Sequence, residues 1–168
     1  KNVHGKEDTV VTIQVDLMLA RQFNMTYTDS NGQQQYPYII HRTSLGCYER
    51  TTAYLLEKFA GALPLWLSPE QIRILPIGDD QAEYAENVRK TLAKAGLRVK
   101  CDTRNEKIGY KIRAAQLDKV PYMLVIGEKE MTSDSVAVRE RGTGDIGVMT
   151  VSEFMARALE ENNNKVIK

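Results

Sequence analysis

At 168 residues the chain has room for one ordinary domain, or for a small domain and a fragment of another. Apolar residues make up 42% and charged residues 27%, the balance of a soluble globular protein, and the formal net charge is +1. No global field therefore draws in a nucleic acid, and any such partner has to be met by a local patch. No apolar run approaches the roughly 18–20 residues of a membrane span, and no signal peptide precedes the first strand pattern. Cys47 and Cys101 show neither metal-type spacing nor a paired pattern, so free thiols in a reducing cytoplasm are expected. The chain begins at Lys1, not at Met, and runs straight into a strand pattern, which suggests the tail of a larger enzyme.

In chain order, residues 10–19 alternate, with Val11, Ile13, Val15 and Leu17 on one side and Thr12, Gln14 and Asp16 on the other. This predicts a half-buried strand with a polar, hydrogen-bonding face. Asp29-Ser30-Asn31-Gly32 is a turn cluster, and 36–42 reads as a second strand antiparallel to the first. A helix is expected over 48–60, with Leu55, Leu56 and Phe59 on its apolar side and Gly61 closing it. Pro64-Leu65-Trp66-Leu67-Ser68-Pro69 suggests a stiff, packed junction, and the domain boundary is placed there, giving 1–66 and 67–168.

Beyond it the pattern becomes strand and helix in alternation. Strands are expected over 72–77, 97–101, 121–126 and 135–139. The third is nearly all apolar, as a sheet covered on both faces requires. Helices are expected after Asp79-Asp80, with Ala85, Val88, Leu92 and Ala95 inward, and over 107–117, with Ile108, Ile112 and Ala115 inward. Thr150-Val151-Ser152-Glu153 is a capping box opening the last helix. This alternation argues for a small α/β domain with a central sheet. Gly142-Thr143-Gly144-Asp145-Ile146-Gly147 matches G-x-G-x-x-G, but no βαβ unit follows, so a hairpin turn is expected. His4 is read as incidental.

The most informative stretch is Ile40-His41-Arg42-Thr43-Ser44-Leu45-Gly46-Cys47-Tyr48-Glu49-Arg50. His41 ends a strand, Gly46 would let backbone approach a ligand, and Arg50 presents a fork suited to phosphate or an aromatic ring. A satisfied core histidine and a surface arginine near Glu49 are the alternative reading. A second constellation gathers Arg98, Lys100, Arg104, Lys107, Lys111 and Arg113, opposed locally by Asp102 and Glu106. It is either a local phosphate-binding patch or a solvated charged face. Tyr110 offers a stacking face for a base, with a core or surface role equally open.

Gly46-Cys47-Tyr48-Glu49-Arg50 resembles motif 3 of class II aminoacyl-tRNA synthetases. The flanking Thr12-Ile13-Gln14-Val15-Asp16 and Ile40-His41-Arg42 resemble the threonyl-tRNA synthetase family in particular. So do Phe59-Ala60-Gly61, Trp66-Leu67-Ser68-Pro69, Arg104-Asn105-Glu106-Lys107-Ile108-Gly109, Val120-Pro121-Tyr122-Met123-Leu124-Val125 and Val136-Ala137-Val138-Arg139. The resemblance implies a fragment of an antiparallel catalytic fold over 1–66. It implies an anticodon-binding domain with a central mixed sheet flanked by helices over 67–168.

The activity so implied is ATP-dependent charging of threonine tRNA, in a homodimer when intact. In that family a zinc ion bound by one cysteine and two histidines takes the amino and hydroxyl groups of threonine. His41 matches the last of these ligands. Direct ligation of the hydroxyl would separate threonine from valine better than an apolar pocket can. By the same match Arg50 would lie against ATP, with its Mg²⁺, and stabilise charge during adenylation. Gln14 would wall the adenylate pocket, and Gly46 and Cys47 would lie near the nucleotide. Asp8-Thr9-Val10-Val11 stands where many members carry Trp-Gln-Cys-Gly, and Cys47 stands where serine is common. Motifs 1 and 2 and the other zinc ligands do not occur in these residues, so the fragment alone is expected to be inactive.

For the second half, the resemblance implies that Asn105, Arg113, Glu130 and Arg139 read the anticodon loop, with Lys107 nearby. Such mixed donors and acceptors suit splayed single-stranded bases, while lysine fixes register through phosphate. Two rivals stand beside this reading: a non-catalytic RNA-binding module of the same fold, and a prolyl- or histidyl-type synthetase. His41 argues against the latter.

Overall fold

The computed structural model describes residues 5–7, 9 and 11–167. His4, Asp8 and Val10, the last being the first position of the expected strand, lie outside the described residues. The chain divides into two compact units, Lys1–Lys58 and Phe59–Lys168.

In the first unit, β1 (Ile13–Asp16) pairs antiparallel with β4 (Ile39–Arg42), as the alternation predicts. Asp16 Oδ1 then accepts the backbone N–H groups of Met18 and Leu19 at 2.8 Å each, which opens the short helix α1 (Leu19–Gln22). The Asp29–Gly32 cluster turns the small hairpin of β2 (Tyr27–Thr28) and β3 (Gln34–Gln35), with Asp29 Oδ1 accepting from the Asn31 and Gln33 amides. Helix α2 covers Tyr48–Lys58. One expectation fails here: the strand is not half-buried. Ile13, Val15 and Ile40 share one face of the β1–β4 pair, and all are more than 60% exposed. The alternation sets which side chains share a face but does not supply the layer that would cover it.

The second unit holds a five-stranded sheet in the order β6-β5-β7-β8-β9. β5 (Ile72–Pro76) lies parallel to β6 (Val99–Cys101) and β7 (Tyr122–Ile126), while β8 (Ser135–Glu140) and β9 (Gly144–Thr150) continue it antiparallel. Helices α3 (Ala82–Lys94) and α4 (Ile108–Leu117) supply the crossovers, α5 (Glu128–Thr132) follows β7, and α6 (Val151–Asn163) closes the chain. Period-2 alternation along the strands sorts the core into two layers. Ile72, Ile74, Tyr122, Leu124, Ile126, Val136 and Val138 pack with Val88 and Leu92 of α3 and Phe154 and Ala158 of α6. Leu75 and Met123 on the opposite face pack with Ala115 of α4 and Val120.

The Pro64–Pro69 segment packs as expected and belongs to the second unit, with Leu65 in its core. Gln71, wholly buried, ties that segment down: its Nε2 donates to Leu65 O at 2.9 Å and to Asn162 Oδ1 of α6 at 2.7 Å, and its Oε1 accepts from the Arg98 amide at 2.8 Å. The capping box at Thr150 forms as read, with Thr150 Oγ1 accepting from the Glu153 amide and Glu153 Oε2 from the Thr150 amide. The Gly142 run does turn a hairpin, but Gly144–Thr150 is also a strand that the sequence reading leaves out. Its pattern is broken because Ile146 is an extra residue between the Val138–Gly147 and Arg139–Asp145 pairs, a β-bulge with Gly147 at φ +100°.

Candidate functional site

In the first unit, pairing brings two of the candidate residues face to face. Gln14 lies directly opposite His41, and Asp16 shares their face. His41 Nε2 sits 3.2 Å from Asp16 Oδ2. The Asp16 carboxyl is held below its ordinary range, first by the amides of Leu19 and Met18 and further by His41. Gly46 takes φ +66°, a left-handed conformation that glycine accepts without cost, and so turns β4 into α2. Cys47 is exposed and its thiol donates to Glu49 Oε2 at 2.7 Å. Arg50, exposed in the first turn of α2, reaches Thr9 O at 3.5 Å, on the segment that leads into β1.

Among the described residues no group of three or more His, Cys, Asp or Glu side chains could hold a metal ion. His41 and Asp16 offer a donor pair, short of the three protein ligands a substrate-binding zinc takes. The residues described here therefore do not by themselves fit the ion.

The second unit arranges its candidate residues around α4. Because β5, β6 and β7 are parallel, their carboxyl ends share one edge of the sheet, the usual side for ligands in α/β folds. Asn105 and Lys107 lie exposed on the connection from β6 to α4 at this edge, and Glu130 lies on α5, which follows β7 there. Arg113 is exposed on α4 itself. Arg139 is placed differently. It is paired with Met123 near the amino end of β7, about 10 Å down the strand from Ile126, at 3.3 Å per residue. Asn105, Lys107 and Arg113 thus follow α4, while Glu130 stands on α5 and Arg139 on β8, so the five do not converge on one point.

Each has a defined setting. Glu130 Oε2 accepts the Gly127 amide at 2.9 Å and so caps its own helix. A Cβ on Gly127 would come to 3.0 Å from both that oxygen and Ile77 Cδ1, so a side chain there would have to push one of them aside. Arg139 reaches Asp145 Oδ2 only at 3.5 Å, and its Nε is buried with no partner among the described residues, which leaves hydrogen-bonding capacity there unfilled. It borders a cavity of 390 Å³ between the α4 end of the sheet and the β8–β9 turn, shared with Gln116 and Arg141.

The basic constellation is only partly a patch. Lys111 is 4% exposed and its ammonium donates to Pro76 O at 2.9 Å, while Arg98 donates to the carbonyls of Ser68 and Trp66. Both serve the fold: the helical period turns Lys111 inward, and Arg98, just before β6, is held on open carbonyls. Arg104 is held by Asp102 through two bonds, Nε–Oδ1 at 2.8 Å and Nη2–Oδ2 at 2.6 Å. Asp102, which the sequence presents only as an opposing charge, is therefore a seat for that arginine. Its hydrogen bond to Arg104 is the main reason its carboxyl is held below the ordinary range. The signal was an Asp-x-Arg spacing straight after a strand.

Comparison with known proteins gives a consistent set of likenesses. A family described as an anticodon binding domain matches residues 71–161. A threonine–tRNA ligase of Clostridium botulinum is 54% identical over 161 residues, 96% of this chain and 25% of that protein. The threonine–tRNA ligase of Clostridium perfringens is 53% identical over 165 residues, covering 98% of this chain and 26% of its own length. The chain thus spans about a quarter of these relatives. A crystal structure of the RNA binding domain of threonyl-tRNA synthetase from Cryptosporidium parvum superposes with a TM-score of 0.82 at 36% identity, over 95% of this chain and 41% of that one.

Proposed function

Because the chain belongs to the anticodon-binding domain family, we propose that its second unit reads the anticodon loop of a threonine tRNA, as the C-terminal part of a threonine–tRNA ligase. The observation that carries this reading is the exposed row of Asn105, Lys107 and Arg113 along α4, in the same unit as Glu130 on α5 and the under-bonded Arg139 on β8. Single-stranded RNA loops are recognised by such mixed donors and acceptors, with cations fixing the backbone. In this reading, residues 67–168 are the tRNA-reading domain and residues 1–66 a portion of the catalytic domain.

Gln14, His41, Gly46, Cys47 and Arg50 then belong to the threonine- and ATP-binding side of the intact ligase. Arg50 would steady phosphate charge, and Gln14 would line the pocket opposite His41. Zinc, where bound, would polarise the substrate's amino and hydroxyl groups, and its other ligands would come from residues beyond these. A cytoplasmic homodimer is the state proposed for the intact enzyme.

The test is titration of the chain with a fluorescent anticodon stem-loop of threonine tRNA and with a stem-loop of unrelated anticodon. Tighter binding of the first is expected, with Asn105→Ala and Arg139→Ala each weakening it about tenfold. Binding insensitive to both substitutions would sink the assignment. ATP–pyrophosphate exchange by the chain alone is expected to be absent.

A further inference from the structure

The residues just described run from the β6–α4 connection, with Asn105 and Lys107, over Arg113 of α4 to Arg139 on β8. Directly beside Asn105, the structure holds a feature that none of those assignments uses. Arg104 Cζ sits 5.7 Å from the centroid of the Tyr110 ring, in stacking range. Tyr110 is 55% exposed, and the Arg104 side chain 51%. An exposed arginine ordinarily samples many rotamers, yet this one is clamped at both ends of its guanidinium by Asp102. Asp102 is itself rigidly seated: its side chain is 6% exposed and its amide donates to Ile74 O of β5 at 2.9 Å. The same arginine forms one wall of a 550 Å³ cleft, with Ala114 and the exposed Leu117 of α4 and with Lys100 on β6.

We propose that Tyr110 and Arg104 form a prepositioned stacking platform for one unpaired base of the RNA loop, with Asp102 as the positioning residue that holds it. The proposal rests on the reading of this domain as an RNA binder. A preset cation and aromatic ring give a base a flat, partly charged surface with little ordering cost on binding. Such a surface accepts any base, because every base has a π-face. The platform therefore contributes affinity without sequence discrimination, and complements Asn105 and Arg139, whose polar groups discriminate.

The experiment uses the full 168-residue chain and anticodon stem-loops carrying 2-aminopurine at successive loop positions. One position is expected to be quenched on binding. Tyr110→Leu should abolish that quenching and weaken binding about tenfold, equally for all four natural bases at that position, while Tyr110→Phe keeps both. Asp102→Asn should weaken binding by a smaller factor, and Asp102→Asn combined with Tyr110→Leu should be no weaker than Tyr110→Leu alone. A purely structural role for Asp102 would give losses that multiply. Wild-type binding that is unchanged by Tyr110→Leu overturns the platform and leaves the RNA-binding reading standing. Failure of the wild-type chain to bind any stem-loop overturns both.

Discussion

Lys107, Lys111 and Arg113 sit within seven positions of one another, and composition treats them as one patch. The structure gives them different work. Lys111 is spent on a buried carbonyl at the end of β5, whereas its neighbours stay exposed. Lys111→Met keeps the aliphatic stem but leaves Pro76 O without its donor. It is expected to destabilise the second unit by about 1–3 kcal/mol, seen as a lower midpoint in urea, while stem-loop affinity of the folded protein holds. The sign would reverse if Lys111 faced RNA: stability would hold and affinity would fall. What the sequence could show here was charge and spacing. It also showed the inward phase of α4, Ile108, Ile112 and Ala115, but not that Lys111 beside that stripe is drawn in by an open carbonyl on β5.

Among the elements, the parallel core was the most legible part. Strands β5, β6 and β7 and helices α3, α4 and α6 announce themselves by apolar composition and period, and α6 by its cap too, whereas the cap expected from Asp79-Asp80 does not form on α3. The bulged β9 and the five-residue α5 did not, since a bulge interrupts alternation and a short helix has too few residues to show a period. One cross-element tie is open to titration. Tyr84 of α3 donates its hydroxyl to Asp134 Oδ1 and Ser135 O, each at 3.1 Å, at the start of β8. Burial, and then the Asp134 carboxylate, push its pKa up to about 12. The fold thus favours the protonated phenol, so this contribution is full below about pH 10 and lost as pH rises towards 12. Tyr84→Phe is expected to lower stability at pH 8 and to flatten its decline above pH 10. Chemical unfolding measured across pH 7–11.5 reads this directly, and parallel curves for the two proteins would count against the tie.

At the scale of the whole molecule, the candidate sites were legible through long motifs more than through local chemistry. His41 and Arg50 are ordinary residues until the ladder sets Gln14 opposite His41 and the left-handed Gly46 aims Arg50's helix. Asp102 and Gln71 were not legible, since their roles come from contacts between elements far apart in sequence. The second unit carries its own two-layer core and its own junction segment, so residues 59–168 are expected to fold alone. Expressed in isolation, they should unfold in one cooperative step and bind the stem-loop within about twofold of the whole chain. A non-cooperative melt would contradict this.

The bare face of β1 and β4 has a practical side. A two-stranded ribbon offers unpaired backbone groups along its outer margins, and here those margins flank Ile13, Val15 and Ile40 standing in water. A surface of that make-up is a template for strand addition by like chains. In handling the chain, therefore, colloidal stability at high concentration is expected to depend on this apolar ribbon face of the first unit.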